Sequence, residues 1–131
     1  MDDLQKAWIA CAIDTEGSII ATPNNSLRIT VGNICKEFCD HIQTITGIGT
    51  VGIHDKTRQH ILYAWNLYNQ SDIYLTLKAS LPWMIVKKDR AETACKYIEM
   101  RMQHERPNIP HTEEELSLLN KLRIRKNATT L

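Results

Sequence analysis

The chain has 131 residues, of which 43% are apolar, so it can form one domain with a real hydrophobic core but not two full domains. Its formal net charge at pH 7 is only +1, which does not by itself indicate a nucleic-acid-binding protein. The sequence contains no apolar run of membrane-spanning length and begins without signal-peptide features, so we expect no membrane partner and a location in the cytosol, or in an organelle matrix if organelle-encoded.

The four cysteines, Cys11, Cys35, Cys39 and Cys95, form no CxxC pair, which favours reduced thiols over a disulfide framework. Cys35 and Cys39 lie one helical turn apart, with His41 nearby. This spacing leaves a weak zinc site open, although buried helix cysteines are the commoner interpretation.

The first segment, about residues 3–13, has apolar residues at helical spacing and is apolar on almost every side. Its small residues Ala7, Ala10 and Cys11 occupy neighbouring positions, which permits either close approach of another backbone or tight packing in the chain's own core. Two carboxylates, Asp14 and Glu16, follow where the helix ends. A helix carboxyl end carries partial negative charge, so these acids require compensation.

The middle of the chain predicts two β-hairpins, each followed by a helix. The glycine at position 17 ends the first helix, and alternating apolar residues then indicate strands. Gly47 stands where a C-cap is expected, and Ser71 is the predicted N-cap of the third helix. The predicted strands are 18–22, 27–31, 48–53 and 60–68, and the helices that follow the hairpins are 35–46 and 71–81.

Two further helices complete the chain. An apolar stripe predicts a helix over 87–103, and Thr112 and Glu115 have the spacing of a capping box that opens a last helix, about 112–126. The element order predicts an α+β fold, in which helices cover one face of a mixed antiparallel sheet. We expect a single domain, 1–131, with its core at about 5–103.

The stretch IACAIDTEGSI, residues 9–19, resembles the signature of the LAGLIDADG homing endonucleases, and LPWMIVKKDRA, residues 81–91, resembles a later segment of that family. The order αββαββα is also that of the family fold, a saddle-shaped antiparallel sheet. The resemblance implies an intron-encoded or intein-like hydrolase, a site-specific DNA endonuclease that makes a metal-dependent staggered double-strand cut in a long pseudo-palindromic site.

A single copy of the signature implies a homodimer, with the two signature helices packed at the twofold axis. The resemblance places Ala7, Ala10, Cys11 and Asp14 at that dimer interface. The chain departs from the common signature at Cys11, Thr15 and Glu16, but none of these changes removes a needed chemical group.

The resemblance assigns the metal to the end of the signature. Glu16 is the expected ligand of Mg²⁺, which Ca²⁺ or Mn²⁺ can replace in binding, and the backbone carbonyl of Thr15 is the expected second ligand. Asp14 is either a further ligand or a structural residue hydrogen-bonded to backbone at the seam. No organic cofactor is implied.

Two other residues complete the expected catalytic set. Lys87 matches a family lysine near the metal, with Lys88 and Lys36 as competing assignments for the same basic pocket. Asn33 matches a polar position that orders water there, and it also has the type and place of a helix N-cap.

The polar faces of the two hairpins are expected to bind double-stranded DNA, because a two-stranded ribbon fits the major groove. Strand four alternates poorly, and its large aromatics favour Tyr63 and Trp65 facing the core. The basic tail 121–126 either contacts phosphates or is a solvated helix end. The expected DNA-binding residues are Ile20, Thr22, Asn24, Asn25, Ser26, Arg28, Thr30, Thr50, His54, Lys56, Arg58, Gln59 and His60.

Two other functions fit the same fold, namely an RNA-binding intron maturase and a DNA-binding protein without catalysis. The presence of Glu16 and Lys87 favours an enzyme over the latter.

Overall fold

The computed structural model describes residues 1–57, 59–104 and 108–123. Within these residues, five α-helices and four strands follow one another in the order predicted from the sequence, and a 3₁₀ turn, Leu81–Trp83, follows the third helix. The elements are α1 (Asp3–Glu16), β1 (Gly17–Ala21), β2 (Leu27–Asn33), α2 (Lys36–Thr46), β3 (Thr50–Asp55), β4 (Leu62–Leu67), α3 (Gln70–Ser80), α4 (Lys88–Met102) and α5 (Glu113–Arg123).

The four strands form one antiparallel sheet in the order β1-β2-β4-β3. Side chains alternate across β2, where Leu27, Ile29 and Val31 are buried and the residues between them are partly exposed. All helices that contact the sheet pack against this buried face, as the sequence predicts. We call the opposite side the open face.

The core lies between the sheet and the helices. Trp65 of β4 is fully buried, and Tyr63 packs against the same core, so the inward orientation favoured for both aromatics is confirmed. The Trp65 indole Nε1 donates a 2.9 Å hydrogen bond to the Ile48 carbonyl. Gly49 sits beside this ring with φ 81°, and a Cβ there would collide with Nε1, so only glycine fits.

Helix ends agree with the sequence in part. Thr112 and Glu115 form the predicted capping box, with bonds of 2.8 and 3.1 Å between each backbone N–H and the other side chain. The predicted cap at Ser71 is wrong, because Asn69 accepts from the Asp72 N–H and the helix already includes Ser71. The predicted extension of the last helix over 124–126 lies outside the described residues.

The described helices include none long and apolar enough to cross a membrane. Cys39 is buried as predicted, whereas Cys35 is exposed at the start of α2. Among the described residues, no three His, Cys, Asp or Glu side chains are grouped to hold a metal, so the zinc interpretation of Cys35, Cys39 and His41 is not supported.

Candidate functional site

The carboxyl end of α1 is tied to the segment that precedes α4. Asp14 is only 7% exposed, and its carboxylate accepts hydrogen bonds from the backbone N–H groups of Ile85, Val86 and Lys87 at 2.7, 3.3 and 3.0 Å. Backbone donors therefore compensate this buried charge within the chain. Of the two roles left open for Asp14, the structure shows the structural one, a carboxylate hydrogen-bonded to backbone at the helix end, whereas its roles as a metal ligand and at a dimer interface stay predictions.

The side chain of Lys87 also contacts the carboxyl end of α1. Its ammonium Nζ donates to the Asp14 backbone carbonyl at 2.5 Å. A cation suits this place, because the last carbonyls of a helix lack intrahelical partners and carry partial negative charge. Asp14 and Lys87 thus bond to each other twice, and these bonds hold the Lys87 ammonium at Asp14, which precedes Glu16 by two residues.

Glu16 ends α1 and is exposed, in contrast to Asp14. It borders a cleft of about 160 Å³ between α1 and α2, which has room for several water molecules. We call it the α1–α2 cleft. It is lined by Trp8, Cys11, Ala12, Thr15, Glu16, Asn33 and Phe38.

The cleft offers hard oxygen donors suited to a divalent cation such as Mg²⁺. Glu16 carries a carboxylate and Thr15 a carbonyl in the last turn of the helix, and both residues line the cleft, while the Thr15 hydroxyl donates to the Cys11 carbonyl at 2.7 Å. The described part of the chain groups no further acidic or histidine ligands there. These donors fit Mg²⁺ only as part of a site completed by other molecules.

The remaining catalytic candidates, Asn33, Lys36 and Lys88, lie in different places relative to the end of α1. Asn33 lines the α1–α2 cleft, and its Oδ1 accepts from the Cys35 N–H at 2.8 Å. The N-cap of α2 is Cys35, so the predicted N-cap at Asn33 is wrong, although its side chain supports the cap residue. Lys36 is held by Asp40 on its own helix, at 2.9 Å. Lys88 is exposed at the first position of α4, which leaves Lys87 as the lysine tied to the end of α1.

The outward side of α1 is a stripe of small and apolar residues. Leu4 is 80% exposed, Cys11 and Thr15 are exposed, and Ala7 is partly exposed. We call these four residues the outer stripe. Ala10 is fully buried in the chain's own core, so its predicted place at an interface is wrong.

The open face of the sheet carries a row of polar residues that crosses all four strands. Ser18 pairs with Thr30, Thr30 pairs with Asn66, and Asn66 pairs with Thr50. Ser18 and Asn66 are absent from the residues predicted to bind DNA. Alternation alone could have found both, since Ser18 lies two residues from Ile20 and Asn66 is next to the inward Trp65, and the register then aligns them in one row.

A cation stands beside the polar row. Arg28 pairs with Ile20 on the open face, and its Nε is shielded from solvent without a hydrogen-bond partner in the described part of the chain. A shielded donor of this kind is costly unless an incoming acceptor satisfies it. Arg28 is therefore the best-placed donor for an anionic ligand on this face.

The structure brings together only part of the predicted DNA-binding set. Ile20, Arg28, Thr30 and Thr50 lie on the open face, whereas Thr22, Asn25 and Ser26 are engaged in or around the first turn. Arg58 lies outside the described residues. The exposed residues at the two hairpin ends are Asn24, His54, Lys56, Gln59 and His60.

No family model matches the sequence, and no curated protein matches it. Solved structures do match its fold. The homing endonuclease I-CvuI in complex with its target in the presence of Ca is 20% identical, with a TM-score of 0.67 over 92% of this chain and 80% of that chain. The archaeal intron-encoded homing endonuclease I-Vdi141I complexed with DNA is 20% identical, with a TM-score of 0.66 over 94% and 82%.

A third match is longer than this chain. The LAGLIDADG meganuclease I-AabMI bound to uncleaved DNA is 18% identical, with a TM-score of 0.65 over 89% of this chain but only 43% of that chain. All three matches cover the sheet and the helices together. The chain has the α+β fold of LAGLIDADG homing endonucleases, as the signature predicts.

Proposed function

We propose that this protein, which has the LAGLIDADG homing endonuclease fold, is a homodimeric, site-specific DNA endonuclease. The observation that carries the proposal is the pair of bonds between Asp14 and Lys87, which fixes an ammonium group at the carboxyl end of α1, the helix that ends with the exposed Glu16. Lysine and carboxylate together suit phosphodiester hydrolysis, because the reaction develops negative charge on phosphate.

The open face is the proposed DNA-binding surface. It presents hydroxyl and amide groups in one row and the unsatisfied Nε of Arg28 beside it. These are donors and acceptors suited to base edges and phosphates. Lys56 at the end of the second hairpin is a proposed phosphate contact, since it is exposed and charged.

The residues of this chain have separable roles in the proposed reaction. Glu16 and the Thr15 carbonyl would hold Mg²⁺, which when bound supplies stabilisation of phosphate charge and lowers the pKa of water. The Lys87 ammonium donates a hydrogen bond toward charge that develops on the phosphate oxygens. Asn33, at the wall of the α1–α2 cleft, orients water through its side-chain amide.

The homodimer is proposed from the outer stripe and from chain length. An 80% exposed leucine with small neighbours on one helix suits close packing against a second copy. The chain covers 80% and 82% of two matched endonucleases but only 43% of the meganuclease. These lengths fit one copy of the fold in this chain, whereas the meganuclease chain is long enough for two copies. Two copies would bring two Glu16 carboxylates together and supply the ligands that one chain lacks.

The test is selection followed by cutting. A library of randomised DNA duplexes is selected for binding in Ca²⁺, and the selected duplex is incubated with Mg²⁺ or with EDTA. We expect a staggered double-strand cut in Mg²⁺ only. Selection of structured RNA but not duplex DNA would instead indicate a maturase, and selection of DNA without cutting would indicate a binding protein.

Lys87→Met provides the residue-level test, with Lys88→Met as the matched control. Removing the ammonium at the end of α1 is expected to slow cutting by roughly 10²-fold or more, while the control variant cuts normally. Equal rates for the two variants would exclude the proposed role of Lys87.

A further inference from the structure

Hydrogen bonds, in addition to packing, connect the C-terminal helix α5 to the first hairpin. The guanidinium Nη2 of Arg90 donates to the carbonyls of Ile19 and Leu122, both at 2.6 Å, and so joins β1 to the end of α5. At the other end of this helix, Glu115 is fully buried and accepts from Arg101 at 3.3 Å. Helix α5 therefore has a fixed position from which it can hold other groups.

Arg123, the last residue of α5, reaches the turn of the first hairpin. Its Nη2 donates to the Asn25 side-chain Oδ1 at 2.6 Å and to the Thr22 carbonyl at 3.1 Å. These partners precede Arg123 by 98 and 101 residues. A planar guanidinium that bonds both sides of a turn restricts its shape.

A second contact holds Asn25 from the opposite end of α5. The Tyr97 hydroxyl lies 2.9 Å from the Asn25 carbonyl and 2.8 Å from His111 Nε2. The carbonyl can only accept, so the hydroxyl proton goes to Asn25, and His111 must donate its Nε2 proton to the hydroxyl oxygen. His111, just before α5, thus supports Asn25 through Tyr97.

Asn25 is where such support matters. With φ 58°, it is the one non-glycine residue of positive φ in the described ranges. Residues other than glycine rarely adopt this backbone conformation, although asparagine tolerates it better than most. Its backbone N–H also donates to the Thr22 carbonyl at 3.2 Å, so Asn25 determines how the turn closes.

We propose that Arg123, together with the His111–Tyr97 pair, is a positioning device that holds Asn25 and thereby sets which bases the first hairpin reads. The inference rests on the proposed DNA-binding function. Asn24, exposed and adjacent to Asn25, lies in the turn that the device holds. Arg28 lies on the strand that leaves the same turn, so a change in the turn alters how both side chains meet DNA.

The test compares base preferences rather than affinity alone. Duplexes selected in Ca²⁺ from a randomised DNA library give the profile of the unmodified protein. Arg28→Ala identifies the positions that the first hairpin reads, and His54→Ala identifies those of the second. In Arg123→Met, we expect discrimination at first-hairpin positions to fall about fivefold or more, with second-hairpin positions unchanged. Lys78→Met, which removes one exposed charge from α3, is the control.

A second, chemically different variant tests whether the change in base preference comes from lost support of Asn25 and not from another effect of Arg123→Met. Tyr97→Phe removes only the hydroxyl between His111 and Asn25, and we expect it to lose discrimination at the same positions as Arg123→Met. Thermal unfolding of each variant shows that it is folded. An unchanged profile in both folded variants would overturn the inference, whereas an unmodified protein that selects no DNA would overturn the proposed function itself.

The alternative is that Arg123 contacts a DNA phosphate directly. That would weaken binding to all duplexes alike and lower the slope of log affinity against log salt by about one. The Asn25→Gly background separates the two, since glycine adopts positive φ without support and offers no Oδ1. We expect Arg123→Met to change the profile much less there, since only its bond to the Thr22 carbonyl remains to be lost. A uniform loss with a reduced salt slope in both backgrounds would refute the positioning role.

Discussion

Replacing Asp14 by Asn tests how the end of α1 is held. The variant keeps the size of the side chain but removes its charge and turns one acceptor oxygen into an NH₂ group. The carboxylate now accepts three backbone N–H groups, at 2.7, 3.0 and 3.3 Å. Whichever way the amide is turned, its NH₂ faces at least one of these donors and leaves it without a partner.

The expected loss follows from those contacts. A hydrogen bond to a charged group contributes about 1.5–3 kcal/mol, and a shielded donor left unpaired costs about 1–3 kcal/mol. Because the neighbouring side chains of Ile85 and Val86 are exposed, water relieves part of this cost. We expect the free energy of unfolding to fall by about 1–3 kcal/mol and the midpoint by roughly 3–12 °C.

Thermal and urea unfolding followed by circular dichroism measure this effect. Glu92→Gln, the same chemical change at an exposed position of α4, is the matched control and should stay within about 0.5 kcal/mol. If Asp14→Asn were as stable as the control, the carboxylate would not be holding the segment before α4, and the positioning of Lys87 would need another cause.

Two further predictions concern the dimer and acid stability. Cys11→Arg should give a folded monomer, since position 11 is exposed in one chain but two like charges would meet across the outer stripe of a dimer. Light scattering measures the oligomeric state, with Cys35→Arg as the control at another exposed cysteine. A stable Cys11→Arg dimer would place the interface elsewhere. Burial raises the pKa of Glu115, but the Thr112 N–H, His104 and Arg101 outweigh it and hold that pKa below the usual 4.5. The charged carboxylate therefore stabilises the fold above pH 4.5, and this contribution is lost as the pH falls through the lowered value. Urea midpoints over a pH series should fall less steeply in Glu115→Gln, and equal slopes would argue against this pairing.

Local patterns predict much of this fold. Alternation identifies the buried face of β2, and the Thr112–Glu115 capping box identifies the start of α5, because both depend on residues close in sequence. Gly47 adopts φ 71° at the C-cap of α2, as its position suggests. Nearby residues thus determine where most elements begin and end.

Long-range contacts decide what local patterns cannot. Asp14 and Glu16 look alike in the sequence, yet bonds from residues about 71–73 positions away bury the first and leave the second exposed. Ala10 and Cys11 are both small, but the packing of α1 turns one inward and the other outward. The hold of Arg123 on Asn25 spans 98 residues, and no local pattern predicts it.

Single-turnover cutting by Glu16→Gln most directly tests the claim that the end of α1 is a nuclease site. The selected duplex is bound in Ca²⁺, and cutting of each strand is followed after transfer to Mg²⁺. We predict that the unmodified protein cuts both strands, and that Glu16→Gln binds the duplex but cuts neither, since the amide keeps the shape but not the charge of a ligand. Cutting by Glu16→Gln at the unmodified rate would contradict the account.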